Sequence, residues 1–79
     1  MSIMRMPAVK AETGHRSHAS IYNAIREGLF TKPVRIGDRA VGWPSQEVQA
    51  IVAARIAGKT QEQIRELVCK LERARKAMA

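Results

Sequence analysis

Apolar residues recur at helical spacing in three parts of the chain. The first stripe is Ile21, Ala24 and Ile25, at positions i, i+3 and i+4, and Gly28 follows it. The later stripes consist of Val48, Ile51, Val52 and Ile56, and of Ile64, Leu67, Val68, Leu71 and Met78. Each stripe predicts a helix with one buried face. The predicted helices span residues 17–27, 44–57 and 61–78.

A shorter helix is predicted ahead of the first stripe. Pro7 suits the first turn of a helix and Gly14 suits its end, so we expect residues 7–13 to be helical. Ser17 and the polar residues that follow it can cap the start of the next helix. Two short helices joined by a turn that contains glycine are typical of a helix-turn-helix.

The stretch after these helices predicts a β-hairpin. Gly37 and Asp38 are expected to form a two-residue type II′ turn, with glycine at the first central position. With that loop, Val34 faces Val41 and both side chains can point to the core. Arg35 then points to solvent, so the hairpin carries positive charge close to its tip.

The order of elements is therefore α-α-β-β-α-α, mainly α with a small β-hairpin. A hairpin that directly follows a helix-turn-helix predicts a winged helix-turn-helix over residues 1–58. Residues 59–79 are expected to form a C-terminal amphipathic helix, which begins at a capping box of Thr60 and Gln63. This helix either packs on the winged domain or forms a dimer seam, and packing is favoured because its heptads are too few for a coiled coil.

The size and charge of the chain exclude several classes of function. The chain has 79 residues, 14 Lys and Arg against 7 Asp and Glu, and 46% hydrophobic residues. It is too apolar for a disordered basic tail and too small for most enzymes, so we expect a basic binding module without catalytic residues or cofactor. Cys69 is the single cysteine, which suits a reducing compartment. No apolar run spans a membrane and no signal peptide is visible, so a cytoplasmic protein without a membrane partner is expected.

A basic face on the second helix and the cations of the hairpin point to DNA. Arginine can bind guanine bidentately, asparagine can do the same with adenine, and tyrosine and serine can donate to phosphates. A solvated helix face would explain the helix alone, but surface cations around a hairpin add little stability. The candidate DNA-binding residues are Arg16, Ser17, His18, Ser20, Tyr22, Asn23, Arg26, Lys32, Arg35 and Arg39.

Other candidate chemistry is weaker. His15 and His18 are three residues apart, but no cluster of cysteines or carboxylates completes a metal site, so no metal is expected. Cys69 has no histidine or acid nearby in sequence to activate it as a nucleophile. Trp43 could stack on a base, but its place on a core-facing strand favours the core. The basic C-terminal end is either a nucleic-acid patch or a solvated helix end.

Several short runs resemble the AlpA family of phage and prophage regulators. They are Met6-Pro7-Ala8-Val9, Thr13-Gly14, Ser20-Ile21-Tyr22, Ile25-Arg26-Glu27-Gly28-Leu29-Phe30, Lys32-Pro33-Val34, Ile36-Gly37-Asp38-Arg39-Ala40-Val41-Gly42-Trp43 and Glu47-Val48. The resemblance covers about residues 5–56 and implies a winged helix-turn-helix similar to excisionases and to the DNA-binding part of MerR-like proteins. Two departures are an extra residue between Gly14 and Ile21 and a lysine at position 10, where the family usually has an apolar residue.

By this resemblance, the recognition helix falls on residues 17–27 and the wing on Arg35 through Arg39. Family members act as transcriptional activators of integrase genes or as excisionases, the directionality factors of recombination. We therefore expect a sequence-specific regulator of a phage or mobile element that binds double-stranded DNA. The recognition helix would enter the major groove, and the wing, residues 34–43, would contact flanking backbone or the minor groove. A second copy on adjacent sites and an integrase are further candidate partners.

Two interpretations from other classes stay open at this point. The C-terminal helix could dock on a protein partner, in which case the chain is an adaptor and its charge is incidental. Alternatively, the chain could bind RNA non-specifically through charge alone. The adaptor predicts that changes on the second helix leave function intact, and the RNA-binding protein predicts no sequence preference.

Overall fold

Four helices surround a small antiparallel sheet in the computed structural model, which describes residues 2–78. The chain order is β1 (Ile3–Met4), α1 (Met6–Thr13), α2 (His18–Arg26), β2 (Val34–Arg35), β3 (Val41–Pro44), α3 (Ser45–Ile56) and α4 (Gln61–Met78). The predicted class, mainly α with a hairpin after two short helices, is confirmed. Strand β1 is an addition that the sequence pattern did not predict, because two residues are too few to show alternation.

The helix ends follow the predicted local chemistry. Gly14 adopts φ 79° and its N–H donates to the carbonyl of Lys10 at 2.9 Å, which ends α1. Ser17 caps α2, since its hydroxyl accepts from the N–H of Ser20 at 3.1 Å. The capping box of α4 is confirmed: Gln63 N–H donates to the Thr60 hydroxyl at 3.1 Å, and Thr60 N–H donates to the Gln63 side chain at 3.0 Å.

The predicted register of the hairpin is wrong by one residue. Val34 pairs with Gly42 and Arg35 with Val41, so the loop has three residues, 37–39, rather than two. The N–H of residue 36 closes it by donating to the carbonyl of residue 40 at 3.0 Å. Gly37 is not among the described glycines with positive φ, which a type II′ turn would require. Val34 and Val41 therefore do not face each other.

The third strand runs through the middle of the sheet, in the order β1-β3-β2. Ile3 pairs with Pro44 and Met4 with Trp43. A Cβ at Gly42 would collide with the side chain of Ile3 and lie 2.9 Å from the carbonyl oxygen of Met4. The close approach of β1 to β3 therefore requires glycine at this position.

Trp43 lies at the centre of the core, which confirms its interpretation as a core residue. It is fully buried, its indole N–H donates to the carbonyl of Thr31 at 2.8 Å, and its ring lies 5.9 Å from that of Phe30. The other buried hydrophobic residues are Met6, Val9, Ile21, Ala24, Leu29, Val48, Ile51, Ile64 and Val68. The core thus joins residues from every helix to the central strand.

Helix α4 packs on α3 through Ile64 and Val68, which are buried, while Leu67 and Leu71 are partly buried against the same core. The side chain of Met78 lies outside the described part of the chain. Ile56 was expected in the buried stripe of α3, but it is 83% exposed. The buried face of α3 is formed by residues 47, 48 and 51, and at about 100° per residue position 56 points away from it.

Candidate nucleic-acid interface

The turn between α1 and α2 carries the first candidate residues. Arg16, Ser17 and His18 are exposed, so their side chains are accessible at the N-terminal end of α2. His15 Nδ1 lies 2.6 Å from the hydroxyl of Ser20, which joins the turn to the first turn of the helix. Ser20 is half-buried, so its hydroxyl is less accessible than the side chains of Arg16, Ser17 and His18.

The outer face of α2 presents a pair of hydrogen-bonded side chains. Arg26 Nη2 donates to Asn23 Oδ1 at 3.0 Å, one turn apart on the exposed surface. Tyr22 beside them is 41% exposed, whereas Ile21 and Ala24 on the other side are buried. The helix therefore holds its polar side chains outward on a fixed, buried base, and the amide and guanidinium are placed side by side.

The C-terminal end of α2 is held by α4. Gly28 has φ 77°, and the N–H of Leu29 donates to the carbonyl of Ala24 at 2.8 Å, which ends the helix. Arg65 of α4 donates from Nε to the carbonyl of Glu27 at 2.9 Å. Its side chain runs so close to Gly28 that a Cβ there would lie 3.5 Å from Arg65 Cγ.

Lys32, between α2 and the hairpin, is held by α4 on both sides of its backbone. Its N–H donates to Glu72 Oε2 at 2.9 Å, and its carbonyl accepts from Arg75 Nη2 at 2.7 Å. Arg75 also donates to both carboxylate oxygens of the buried Glu47, at 2.5 and 2.7 Å. A bidentate, partly buried ion pair of this kind fixes the direction of both side chains. The segment between the helix and the hairpin is thus attached to α3 and α4.

We name Arg65, Glu72 and Arg75 the brace. Sequence reasoning missed it, because its contacts join residues 38 to 43 positions apart. Helical periodicity predicts α4 but says nothing of which backbone groups its polar side chains reach. The one available signal was Glu47, an acidic residue beside the apolar positions of α3, since a buried carboxylate needs a partner.

The three candidate cations around the hairpin are not placed alike. Arg35 on β2 and Arg39 in the hairpin loop are exposed. The side chain of Lys32 instead lines a groove with residues of α4. All three cations are exposed, but Lys32 lies beside α4 whereas Arg35 and Arg39 lie on the hairpin.

Burial and the positive charge of Arg55 lower the pKa of His15 below its ordinary value of 6.5. The neutral imidazole is thus favoured in the folded protein, where it shares a hydrogen bond with Ser20. In residues 2–78, no group of three or more His, Cys, Asp or Glu side chains could hold a metal ion. None of the described helices is long and apolar enough to cross a membrane.

Comparison with known proteins identifies the family. The family profile described as "Prophage CP4-57 regulatory protein (AlpA)" matches residues 2–56. The chain belongs to the AlpA family. The matched region runs from β1 to the end of α3 and leaves out α4. The AlpA resemblance noted in the sequence is therefore confirmed, and the brace lies on the helix outside the match.

A curated relative comes from a phage. The uncharacterized protein ORF88 of Enterobacteria phage P4 is 41% identical over 56 residues, which make up 71% of this chain. The aligned part spans 62% of the length of that relative. No solved structure matches the chain.

Proposed function

We propose that this AlpA family member is a sequence-specific regulator that binds double-stranded DNA of a phage or mobile element. The observation that carries the proposal is the paired Asn23 and Arg26 on the exposed face of α2, in a chain of net charge +7. The family description, a prophage regulatory protein, supports the regulatory part. In this proposal α2 enters the major groove, whose width admits a helix.

The chemistry of the pair suits the edges of bases. The guanidinium of Arg26 keeps donors free for O6 and N7 of guanine, and Asn23 keeps its amide NH₂ and a second lone pair for adenine. Because each side chain orients the other before DNA arrives, less conformational entropy is lost on binding. Arg16 and Ser17 lie just before α2, and His18, Ser20 and Tyr22 lie on it. In this proposal they contact phosphates and set the register of the helix.

The hairpin and α4 have separate tasks in this proposal. Arg35 and Arg39 contact the flanking backbone or the minor groove, which adds affinity without sequence preference. The brace keeps the hairpin at a constant position relative to α2, so both can touch one duplex together. In this proposal α4 supports the winged domain. The adaptor interpretation is less favoured, because Ile64, Leu67, Val68 and Leu71 of α4 pack on the core of this chain.

Family membership favours two outcomes of binding, transcriptional regulation and excision. Binding of further copies to adjacent sites would suit both regulation and excision. An integrase partner would be expected only for excision. Footprinting on the DNA upstream of the element's genes and on its attachment sites separates the two. Protection near a promoter supports regulation, and protection within an attachment site supports excision.

The same footprint defines the duplex for measuring affinity. We expect Asn23→Ala and Arg26→Ala each to lower discrimination between the protected sequence and a scrambled one by about 1–3 kcal/mol. Arg39→Ala should weaken binding to both duplexes alike. Lys59→Ala, which removes an exposed cation from the α3–α4 connection, is the control and should change neither quantity. If Asn23→Ala, Arg26→Ala and Arg39→Ala each lowered affinity equally for both duplexes, base reading by α2 would be contradicted. Binding through charge alone would then be favoured.

A further inference from the structure

A second concentration of positive charge lies where α4 meets the segment after α2. Here a groove of about 360 Å³ is lined by Lys32, Cys69, Glu72, Arg73 and Lys76. We name it the α4 groove. Two of its cations belong to the last turns of α4, and the third comes from a residue about 40 positions earlier.

The charges of the α4 groove are not balanced within the protein. Its single carboxylate, Glu72, already accepts a hydrogen bond from the backbone of Lys32. Within residues 2–78, the one ion pair closer than 4.0 Å joins Arg75 to Glu47, and neither residue lines this groove. Favourable interaction with the helix dipole explains cations in the last turn of α4. It does not explain why Lys32 converges on them.

The groove is built on fixed backbone. The brace holds the N–H and the carbonyl of Lys32, and the bidentate pair with Glu47 holds Arg75 in turn. The backbone of Lys32 is therefore held beside α4. Three cations against a single carboxylate leave the groove with a net positive charge, which is suited to an anion with several oxygens.

We propose that the α4 groove binds a backbone phosphate of the same DNA duplex, outside the base pairs that α2 reads. The proposal rests on the proposed function and extends its surface onto α4. DNA is favoured over another polyanion because Lys32 lies on the short segment that joins α2 to the hairpin, the two elements proposed to hold the duplex. Lys32 thereby acts with Arg73 and Lys76 rather than with the hairpin tip.

The test compares two double variants with the same change of charge. Arg73→Gln with Lys76→Gln removes both α4 cations of the groove. Lys59→Gln with Lys70→Gln removes two cations from a different groove, formed with Gln63 and Glu66 between α3 and α4. Affinity for the footprinted duplex and for a scrambled duplex is measured between about 50 and 200 mM salt, a range over which each phosphate contact changes affinity roughly threefold.

We expect the R73Q/K76Q variant to lose affinity for both duplexes by the same factor, so that discrimination is unchanged. Its loss of affinity across that salt range should be about threefold smaller than that of the wild type, equivalent to one phosphate contact. The K59Q/K70Q variant should keep the wild-type salt dependence. Unchanged salt dependence in R73Q/K76Q, or an equal change in both double variants, would overturn the α4 groove as a site.

The two proposals fail in different ways. Wild-type protein that shows no preference between the two duplexes contradicts the proposed function, whatever the groove does. If the wild-type protein prefers the footprinted duplex but R73Q/K76Q keeps the wild-type salt dependence, only the proposal for the α4 groove is contradicted. Thermal unfolding of both double variants verifies the fold, and since all four residues are exposed we expect unchanged midpoints.

Discussion

Asn23 and Arg26 show what a helical wheel can and cannot say about a single residue. Their spacing predicted that both would lie on the exposed face of α2, and they do. The hydrogen bond between them at 3.0 Å depends on side-chain rotamers, which the sequence pattern does not specify. In the proposed function, that bond would make the two residues one recognition unit rather than two independent contacts.

This pairing predicts non-additive effects on binding. Removing either side chain leaves the other without its orienting partner, so each single variant loses part of both contacts. The double variant N23A/R26A should therefore lose less binding free energy than the two single variants combined. Dissociation constants for the footprinted duplex complete the double-mutant cycle. Additivity within about 0.5 kcal/mol would mean that the two side chains act separately.

We expect His15 to make the stability of the fold depend on pH. Its pKa is below 6.5 in the folded protein, so just below that pH the unfolded chain binds more protons than the folded one. The stabilisation is complete above about pH 6.5 and is lost as the pH falls. Urea unfolding between about pH 7.5 and 5.5 should show this decline, and His15→Gln should flatten it. Arg55→Gln removes the nearby positive charge and should reduce the decline, whereas an unaltered decline in both variants would assign it to other groups.

The sheet is the part of the fold that the sequence predicted least completely. A type II′ turn at Gly37-Asp38 was reasonable from residue types, but the hairpin has a three-residue loop. Strand β1 pairs on the other side of β3, with Met4 opposite the buried Trp43, and a hairpin considered alone does not include that constraint. The pairing of β1 and the burial of Trp43 are constraints on the register that the residue types of the turn do not express.

Gly42 tests the three-stranded sheet. Gly42→Ala should lower the free energy of unfolding by about 1–3 kcal/mol, because its Cβ would force β1 away from β3. Gly37→Ala is the matched control, since its Cβ would lie 3.7 Å from that of Ala40, an ordinary contact, and we expect a change within about 0.5 kcal/mol. Chemical denaturation measures both, and equal effects would contradict the close pairing of β1 with β3.

The brace predicts that one polar residue of α4 matters more for stability than its neighbours. Arg75→Ala leaves the buried Glu47 without a partner, and we expect a loss of about 2 kcal/mol, below the ~3–5 kcal/mol of a fully buried pair because Arg75 is partly exposed. Arg73→Ala, two residues earlier and exposed, should change stability by less than about 0.5 kcal/mol. Similar values for the two variants would mean that the ion pair contributes little.

At the scale of the whole molecule, local sequence signals were enough to predict the helices. They did not predict the long-range contacts between those helices and the rest of the chain. Glycines, caps and apolar spacing placed all four helices close to their observed ends. The attachment of α4 to Lys32 and Glu27 depends on side chains that meet only after the chain has folded. The sequence therefore predicted both proposed DNA-binding elements, α2 and the hairpin. It did not predict how the two are positioned relative to each other.

Selection from a pool of random-sequence DNA duplexes tests the central claim most directly, because the protein itself picks out the sequence that it binds. Wild-type protein should enrich duplexes that share one motif, and N23A/R26A should enrich a motif that is weaker or lacks some of its base pairs. A wild-type pool without any common sequence, or the same motif from both proteins, would contradict sequence reading by α2.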